Sequence, residues 1–422
     1  MTWTQRHRWR ARLASSLWVA PGVAMLLALP VVRVLYALDA RLGLQLYGFG
    51  PQGARALMGV LVGATLSFIV FVFSVLLVAV QIASTQLSPR VIGSFLSDRL
   101  SKVVLSIFVF TVVFNTGTMA RIEDTVPQLL VVIAVVLTAT SILAFLSLID
   151  HVARSLRPSS VIARVAVQGR AMIERCYPTL LATNPETGPS PEVARLGDPT
   201  QVVASNDAGV LLAFDPEGLV NLARRTETVL VLRPQVGDFI GRGEPLLHVF
   251  GTKRPIDEKL IHDSVALGSQ RTLEQDPEFA VRIIVEIALK AVSPAINDPS
   301  TAVLAIDQLQ RLLHAAGERR LDSGEMRDAS GALRLVYRTP DWEDLVGLAV
   351  AEIRLFGAAS LQVMRRLRAM LDELLRTLPA SRHPALSLER DALSRAVERT
   401  FPDAADRARA RVADAQGMGG TE

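Results

Sequence analysis

Four long apolar stretches in the first 150 residues limit the folds available to this 422-residue chain. They cover roughly residues 16–38, 56–84, 103–120 and 126–149. Each reaches or nearly reaches the ~20 residues that a helix needs to cross a bilayer core. Only 16 of the first 150 residues are charged, against 70 of the remaining 272. This contrast excludes a purely soluble enzyme and a disordered chain, and it predicts a membrane part followed by an aqueous part.

The basic residues beside these stretches predict how the chain crosses the membrane. The N-terminal flank, the loop at residues 85–102 and the segment after the fourth stretch hold more Arg and Lys than the other two loops. Because such flanks stay on the cytoplasmic side, we expect both termini and the C-terminal domain to be cytoplasmic. The first stretch is longer than the apolar core of a signal peptide and contains Pro21 and Pro30, so we expect a retained anchor helix.

Polar side chains follow one face of the second stretch. Ser67, Ser74, Gln81 and Ser88 are seven residues apart, and Thr85 joins them at a helical offset. We call these five residues the polar seam. Small residues at positions 59, 63 and 67 lie on a ridge that allows close helix approach. Asn115 extends the polar pattern to the third stretch, beside Thr111 and Thr118. These side chains either line a pore or hold helices together by hydrogen bonds.

The remaining sequence predicts a mixed domain, so the expected fold class is an α-helical integral membrane protein with four transmembrane helices and a C-terminal cytoplasmic α+β domain. We expect the four-helix membrane domain at residues 1–150, a connecting helix and linker at 151–199, a small β-rich subdomain at 200–254 and a mainly helical part at 255–422. Residues 201–214 predict a hairpin. Two helices are expected near residues 341–357 and 358–377, and their arginines predict a solvated face, with an acidic headgroup or partner as the alternative. These arginines are Arg354, Arg365, Arg366 and Arg368.

A loop bracketed by two prolines is the second candidate site. The run SPAINDP at residues 293–299 ends one predicted helix and begins the next. Ser293, Asn297 and Asp298 bring a hydroxyl, an amide and a carboxylate beside free backbone N–H groups, an arrangement that can bind a ligand or an ion. The same residues can equally form a rigid helix cap between two buried helices.

The sequence contains no recognisable catalytic motif. The six histidines form no metal-binding HExxH pattern, and no phosphate-binding or nucleophile-elbow motif is present. Glu258 and His262 are four residues apart, but two such residues are too few to predict a metal. The excess positive charge lies entirely in the membrane part, which argues against nucleic acid as a partner. We therefore expect no enzyme activity, no cofactor and no metal, with membrane lipid and a second copy of the chain as partners.

Two motifs carry a resemblance to a known family. The run FSVLLVAVQIASTQLSPR at residues 73–90 and the run ALKAVSPAINDPSTA at residues 288–302 resemble a bacterial family described as predicted membrane proteins with a large domain of unknown function. The resemblance covers essentially the whole chain. It implies a bacterial inner (plasma) membrane protein, and it supplies no catalytic residues.

Two hypotheses for function follow from these features. The polar seam and the absence of catalytic motifs favour an oligomeric channel or transport-like protein with a cytoplasmic regulatory domain. The alternative is a membrane-anchored sensor or scaffold, in which the cytoplasmic domain binds a ligand, an ion or a partner near Asn297 and Asp298. The two differ in whether the second apolar stretch lines a path through the membrane.

Overall fold

The chain folds into two compact units. One comprises Arg10–Ser160, and the other comprises Val161–Glu422 with Met1–Trp9. The description comes from a computed structural model. It covers residues 3–4, 6, 16–42, 48, 50–86, 98–182, 190–251, 255–321 and 324–419, with the backbone alone at 83–86.

Four long helices form the first unit. They are α1 (Val19–Leu42), α2 (Pro51–Gln86), α3 (Arg99–Met119) and α4 (Gln128–Ser155). All four are long and apolar enough to cross a membrane. Helix α3 packs against the other three. At Gly117 it comes so close to α1 that an added Cβ would lie 3.3 Å from the methyl carbons of Val32. The predicted four-helix membrane part is therefore confirmed.

Large apolar side chains fill the interior of this bundle. Towards one end, Met58 of α2 packs with Phe114 of α3 and Leu130 of α4. Towards the other end, Val72 of α2 packs with Phe108 and Leu148. These six side chains have no exposed surface. A single copy of the bundle is thus packed like the interior of a soluble protein along the described helices.

Polar contacts between helices fix both ends of the bundle. At one end, Asp39 of α1 accepts a hydrogen bond from the backbone N–H of Leu129 at 2.8 Å. It caps α4, whose own N-cap residue is Pro127 and supplies no side-chain hydrogen bond. At the other end, Asp98 accepts from the backbone N–H of Ser101 at 3.1 Å, and its Oδ2 lies 3.2 Å from His151 Nε2. These contacts hold the helix ends in register.

The described residues of the second unit form eight strands in two sheets. The five-stranded sheet has the order β1-β5-β3-β8-β7, and the three-stranded sheet has the order β4-β2-β6. The strands β3 and β8 are parallel, and the other pairs are antiparallel. The bounds are β1 (Gln201–Ala204), β2 (Gly209–Phe214), β3 (Val229–Leu232), β4 (Phe239–Ile240), β5 (Pro245–Phe250), β6 (Val265–Gly268), β7 (Glu325–Arg327) and β8 (Leu333–Val336).

The hairpin expected at residues 201–214 is wrong, because β1 and β2 belong to different sheets. After β1 the chain keeps its hydrogen bonds to the segment before β5. The backbone N–H of Ser205 donates to the Glu244 carbonyl at 2.8 Å, and that of Gly243 donates to the Ser205 carbonyl at 2.8 Å. Because of these two bonds, the segment after β1 continues to pair with the segment before β5 and does not turn back along β1. Strand β2 pairs with β4 and β6 instead.

Helices pack together beside the sheets. The central one is α9 (Pro277–Ala291), which begins at the N-cap Asp276 and buries ten of its fifteen residues. An α+β unit therefore follows the membrane helices, as the sequence predicts. The other helices are α5 (Pro158–Cys176), α6 (Pro191–Ala194), α7 (Pro216–Arg225), α8 (Glu258–His262), α10 (Pro299–Gly317), α11 (Trp342–Phe356), α12 (Leu361–Thr377), α13 (His383–Thr400) and α14 (Ala404–Ala410).

The prediction of a solvated arginine face on α12 is wrong for Arg365 and Arg366, which are buried. The side chain of Arg366 is only 9% exposed, and it contacts Asp307 at 2.6 Å and Gln310 at 2.7 Å on α10. Arg365 is also buried, and it donates to the carbonyls of Val412 and Gly419. A long arginine side chain can cross an apolar surface and satisfy acceptors on the other side. These arginines therefore join α12 to its neighbours.

Replacing Arg366 with Leu is predicted to destabilise the second unit. The change removes two charge-assisted hydrogen bonds from a nearly buried position, so we expect the free energy of unfolding to fall by about 2 kcal/mol. Arg376 on the same helix is exposed and pairs only with Glu373. Arg376→Leu is thus the matched control, with little expected effect. Thermal unfolding of the purified full-length protein measures both variants, and equal losses would contradict the assignment.

Candidate functional site

The described part of the polar seam lies on the outer surface of the bundle. Ser67, Ser74 and Gln81 are all exposed. The residues that α2 buries lie on the opposite side of the helix, at about 120–180° from Ser67 around the helix axis for 100° per residue. These buried residues are Ala54, Met58, Thr65, Val72 and Ala79. The seam therefore faces away from the other three helices of its own copy.

Hydrogen bonds within α2 orient the seam hydroxyls. Ser67 Oγ donates to the carbonyl of Gly63, and Ser74 Oγ donates to the carbonyl of Val70, each at 3.0 Å. Each hydroxyl keeps acceptor capacity on the outer side of the helix. From Ser67 to Gln81 the seam runs about 21 Å at 1.5 Å per residue, which is most of a bilayer core about 30 Å thick.

The small residues beside the seam are also on the outside. A Cβ added at Gly59 or Gly63 would meet nothing within 4 Å. The bundle itself does not need these glycines for close packing, in contrast to Gly117. Glycines spaced by four are typical of positions where another helix approaches closely in a membrane. This ridge shares one face of α2 with Ser67 and Ser74.

Two members of the predicted seam have side chains that lie outside the described part of the chain. The backbone at Thr85 is helical, but its side chain belongs to residues 83–86, for which only the backbone is described. Ser88 lies outside the described residues. Their membership of the seam stays a prediction.

Asn115 belongs to a different group of polar residues. It is fully buried, and its Nδ2 donates to Thr138 Oγ1 of α4 at 3.1 Å. One turn away, Thr111 Oγ1 and Ser141 Oγ are 3.0 Å apart. These four side chains connect α3 to α4 inside one copy. Of the two roles open from the sequence, Asn115 has the contacts of a helix-joining residue. The α4 partners were missed, although Thr138 and Ser141 have the spacing of one helix face.

The SPAINDP loop has mainly the contacts of a helix cap. Asp298 accepts hydrogen bonds from the backbone N–H of Thr301 at 3.1 Å and from its hydroxyl at 2.5 Å. Ser293 Oγ donates to the carbonyl of Lys290 at 2.7 Å. Both side chains therefore have partners at the ends of their own helices. Asn297 differs, because it is exposed with a φ of 47° and borders a cavity of about 240 Å³ near Phe356.

Within the described residues, no cluster of three or more His, Cys, Asp or Glu side chains could hold a metal ion. Glu258 and His262 both lie on the short helix α8, which spans only five residues. The polar residues predicted from the sequence thus lie in three places: on the outward face of α2, in the buried pairs between α3 and α4, and in the cap at residues 293–301.

A helical bundle with four candidate spans, followed by an α+β unit, defines an integral membrane protein. The chain belongs to the family described as "Predicted membrane protein (DUF2254)", whose profile matches residues 14–373. Similar proteins include the uncharacterised proteins Mb1321c of Mycobacterium bovis and Rv1290c of Mycobacterium tuberculosis. Each is 28% identical over 418 residues, covering 94% of this chain and 79% of the relative. No solved structure matches the chain.

Replacing Asp298 with Ala is predicted to lower stability through the lost cap of α10. An aspartate N-cap contributes about 1 kcal/mol, and Asp298→Asn retains an oxygen that can accept the same hydrogen bond. We therefore expect thermal unfolding of the full-length protein at a lower temperature for Asp298→Ala and near the wild-type temperature for Asp298→Asn. If the two variants lose equal stability, the negative charge of Asp298 matters for another reason than capping.

Proposed function

We propose that the protein is an oligomeric channel or transport-like protein of the bacterial inner membrane. In this proposal the α2 helices of several copies face one another, and Ser67, Ser74 and Gln81 line a polar path between them. The observation that carries the proposal is the outward direction of the seam. Polar side chains in a membrane face a helix partner or a water-filled cavity more favourably than lipid.

The packing of a single bundle supports a path between copies. The described interior is filled by side chains such as Met58, Phe108 and Phe114, which leave no exposed surface. A polar path through one copy would have to displace this core, whereas a path between copies requires only that outward faces meet. The exposed glycines at positions 59 and 63 allow such an approach.

The chemistry of the seam favours a path with little charge selectivity. Its members are hydroxyl and amide side chains, which offer donors and acceptors without a fixed charge. Selective ion channels use rings of charged side chains or of backbone carbonyls. We therefore propose small ions or small polar solutes as the transported class.

The second unit is placed in the cytoplasm in this proposal, where it regulates the path. The support is the alternation of basic flanks around the four spans, since Arg- and Lys-rich loops stay on the cytoplasmic side. Both termini are then cytoplasmic as well. The single cysteine of the chain is in keeping with a compartment where disulfides are rare.

A sensor or scaffold that binds its ligand at the SPAINDP loop is the second candidate. The observation in its favour is the cavity of about 240 Å³ beside Asn297. It receives less support because Ser293 and Asp298 already make hydrogen bonds at helix ends. Only one of the three predicted side chains is then available to a ligand in this cavity.

Flux through reconstituted vesicles tests the proposal. We expect the full-length protein to release K⁺ or Cl⁻ from liposomes, with or without membrane tension. The double variant Ser74→Ala and Gln81→Leu is expected to reduce this flux severalfold, because it removes polar groups from the path.

A matched control replaces exposed hydroxyls on another helix. Thr140 and Ser147 of α4 are exposed and bond to their own helix, as the seam serines do. The double variant Thr140→Val and Ser147→Ala should therefore leave the flux unchanged. Absence of flux from the wild-type protein, or equal effects of the two double variants, would contradict the proposal.

A further inference from the structure

A cavity of about 480 Å³ is lined by residues of the second unit, and none of these residues belongs to the SPAINDP loop. Six segments of the chain border it. They are the end of α5, the junction of β2 and α7, residues 235–236 after β3, the segment before α9, Met326 of β7, and the segment after β8. Its volume is in the range of sites that enclose a small organic molecule. All of these segments belong to one compact unit, so a single copy forms the whole cavity.

Aromatic side chains form part of the cavity wall. Phe214 and Tyr177 are buried, and the rings of Phe214 and Tyr337 meet edge to face with centroids 5.0 Å apart. Gln275 holds Phe214 in place, because its side chain accepts from the Phe214 N–H at 3.2 Å and donates to the Phe214 carbonyl at 3.1 Å. The aromatic wall is thus fixed by its own packing and hydrogen bonds before any ligand arrives.

The charged groups around the cavity have a negative balance. Three carboxylates (Glu217, Glu274 and Asp276) and two guanidinium groups (Arg175 and Arg338) line it. Behind this lining, Arg271 is shared by Asp276 at 2.7 Å and by Glu278 at 3.4 Å. One guanidinium group therefore balances two carboxylates there.

Burial is the main cause of the raised pKa values of the inner carboxyl groups. Burial raises the pKa of Asp276, and the charge of Asp238 adds to that effect against the contact with Arg271. Burial also raises the pKa of Glu278, with further contributions from the carboxylates of Asp276 and Asp344. An additional cation near these carboxylates would relieve their mutual repulsion.

The two helix N-termini beside the cavity do not provide an anion site. Asp215 caps α7 by accepting from the N–H of Gly218 at 3.0 Å, and Asp276 caps α9 by accepting from the N–H of Phe279 at 2.9 Å. Pro216 and Pro277 begin these helices and have no N–H group. The positive ends of both helices are therefore already occupied by carboxylates of the chain.

We propose that this cavity binds an organic ammonium ion with an aromatic or apolar body. The carboxylates of Glu217, Glu274 and Asp276 hold the positive charge, and the rings of Tyr177, Phe214 and Tyr337 pack against the body. Aromatic faces together with carboxylates are the groups that recognise alkylammonium ligands. This site is independent of the polar path between copies, and it gives the second unit a small-molecule ligand.

The chain contains its own reporter for this site. Cys176 lines the cavity and is the only cysteine in the sequence. Burial raises the pKa of its thiol from 9.0 to about 11, against the lowering effect of the nearby Arg175. Because the thiolate is the reactive form, labelling is slow at neutral pH and speeds up about tenfold per pH unit below that pKa. A ligand in the cavity covers the thiol and slows the labelling further.

The test is protection of Cys176 in the full-length protein against methyl methanethiosulfonate, followed by mass spectrometry. Three probes share an indole body and differ in the head group: tryptamine carries an ammonium ion, tryptophol a hydroxyl group and indole-3-propionate a carboxylate. At about pH 8.5 an alkylammonium ion is still charged and the thiol reacts measurably. We expect tryptamine to protect at lower concentration than tryptophol, and indole-3-propionate to protect least.

Substitution of the exposed rim carboxylates makes the test specific. Glu217→Gln and Glu274→Gln should each raise the half-protecting concentration of tryptamine by about fivefold, as expected for one lost surface charge. Glu258→Gln is the matched control, because Glu258 is exposed in the same unit and does not line the cavity. The proposal would be overturned if tryptamine did not protect Cys176 or if all three probes protected it equally. Equal effects of the three variants would also overturn it.

Discussion

Polar side chains on a membrane helix need partners other than hydrocarbon, and the described bundle meets this requirement in two ways. Between α3 and α4 the polar groups turn inwards and bond to each other, as in the pairs Asn115–Thr138 and Thr111–Ser141. On α2 they turn outwards, where Ser67 and Ser74 bond only to their own helix. The inward pairs hold one copy together. The hydroxyls of Ser67 and Ser74 face outwards, and the proposal assigns this face to a path between copies.

This division explains why the two sets of residues are assigned different roles. The apolar core around Phe108 and Phe114 already satisfies the packing of a single bundle. The glycine ridge beside the seam is not used for that packing, since no atom of the described residues lies near an added Cβ at Gly59 or Gly63. In the proposed path between copies, the seam lines the path and the glycine ridge allows the helices of neighbouring copies to approach closely.

The spans were predictable because length and composition alone decide them. The directions of their polar faces were not predictable. A spacing of seven residues shows that side chains share one face of a helix, but it does not show whether that face is buried or exposed. Asn115 and Ser74 have similar sequence surroundings, and only the fold separates a buried partner of Thr138 from an exposed residue. The SPAINDP loop shows the same limit. The sequence located the helix start at Asp298, whereas the hydrogen bonds of Thr301 show how its carboxylate is used.

Long-range contacts account for the predictions that were wrong. Strand β1 pairs with β5, which lies some forty residues further on, so local alternation favoured a hairpin that does not form. Arg366 was expected in solvent because arginines are mostly exposed, but Asp307 and Gln310 of α10 accept its hydrogen bonds. The cavity at Cys176 is assembled from six separate segments. No single stretch of sequence contains a motif for it.

Cysteine accessibility along α2 tests the central claim most directly. In a Cys176→Ala background, Ser67→Cys and Ser74→Cys are treated with a water-soluble methanethiosulfonate reagent in sealed vesicles. Leu143→Cys is the control, because Leu143 is an exposed apolar residue within α4. A polar path between copies predicts rapid labelling at positions 67 and 74 and none at 143. Labelling at 67 and 74 as slow as at 143 would contradict it.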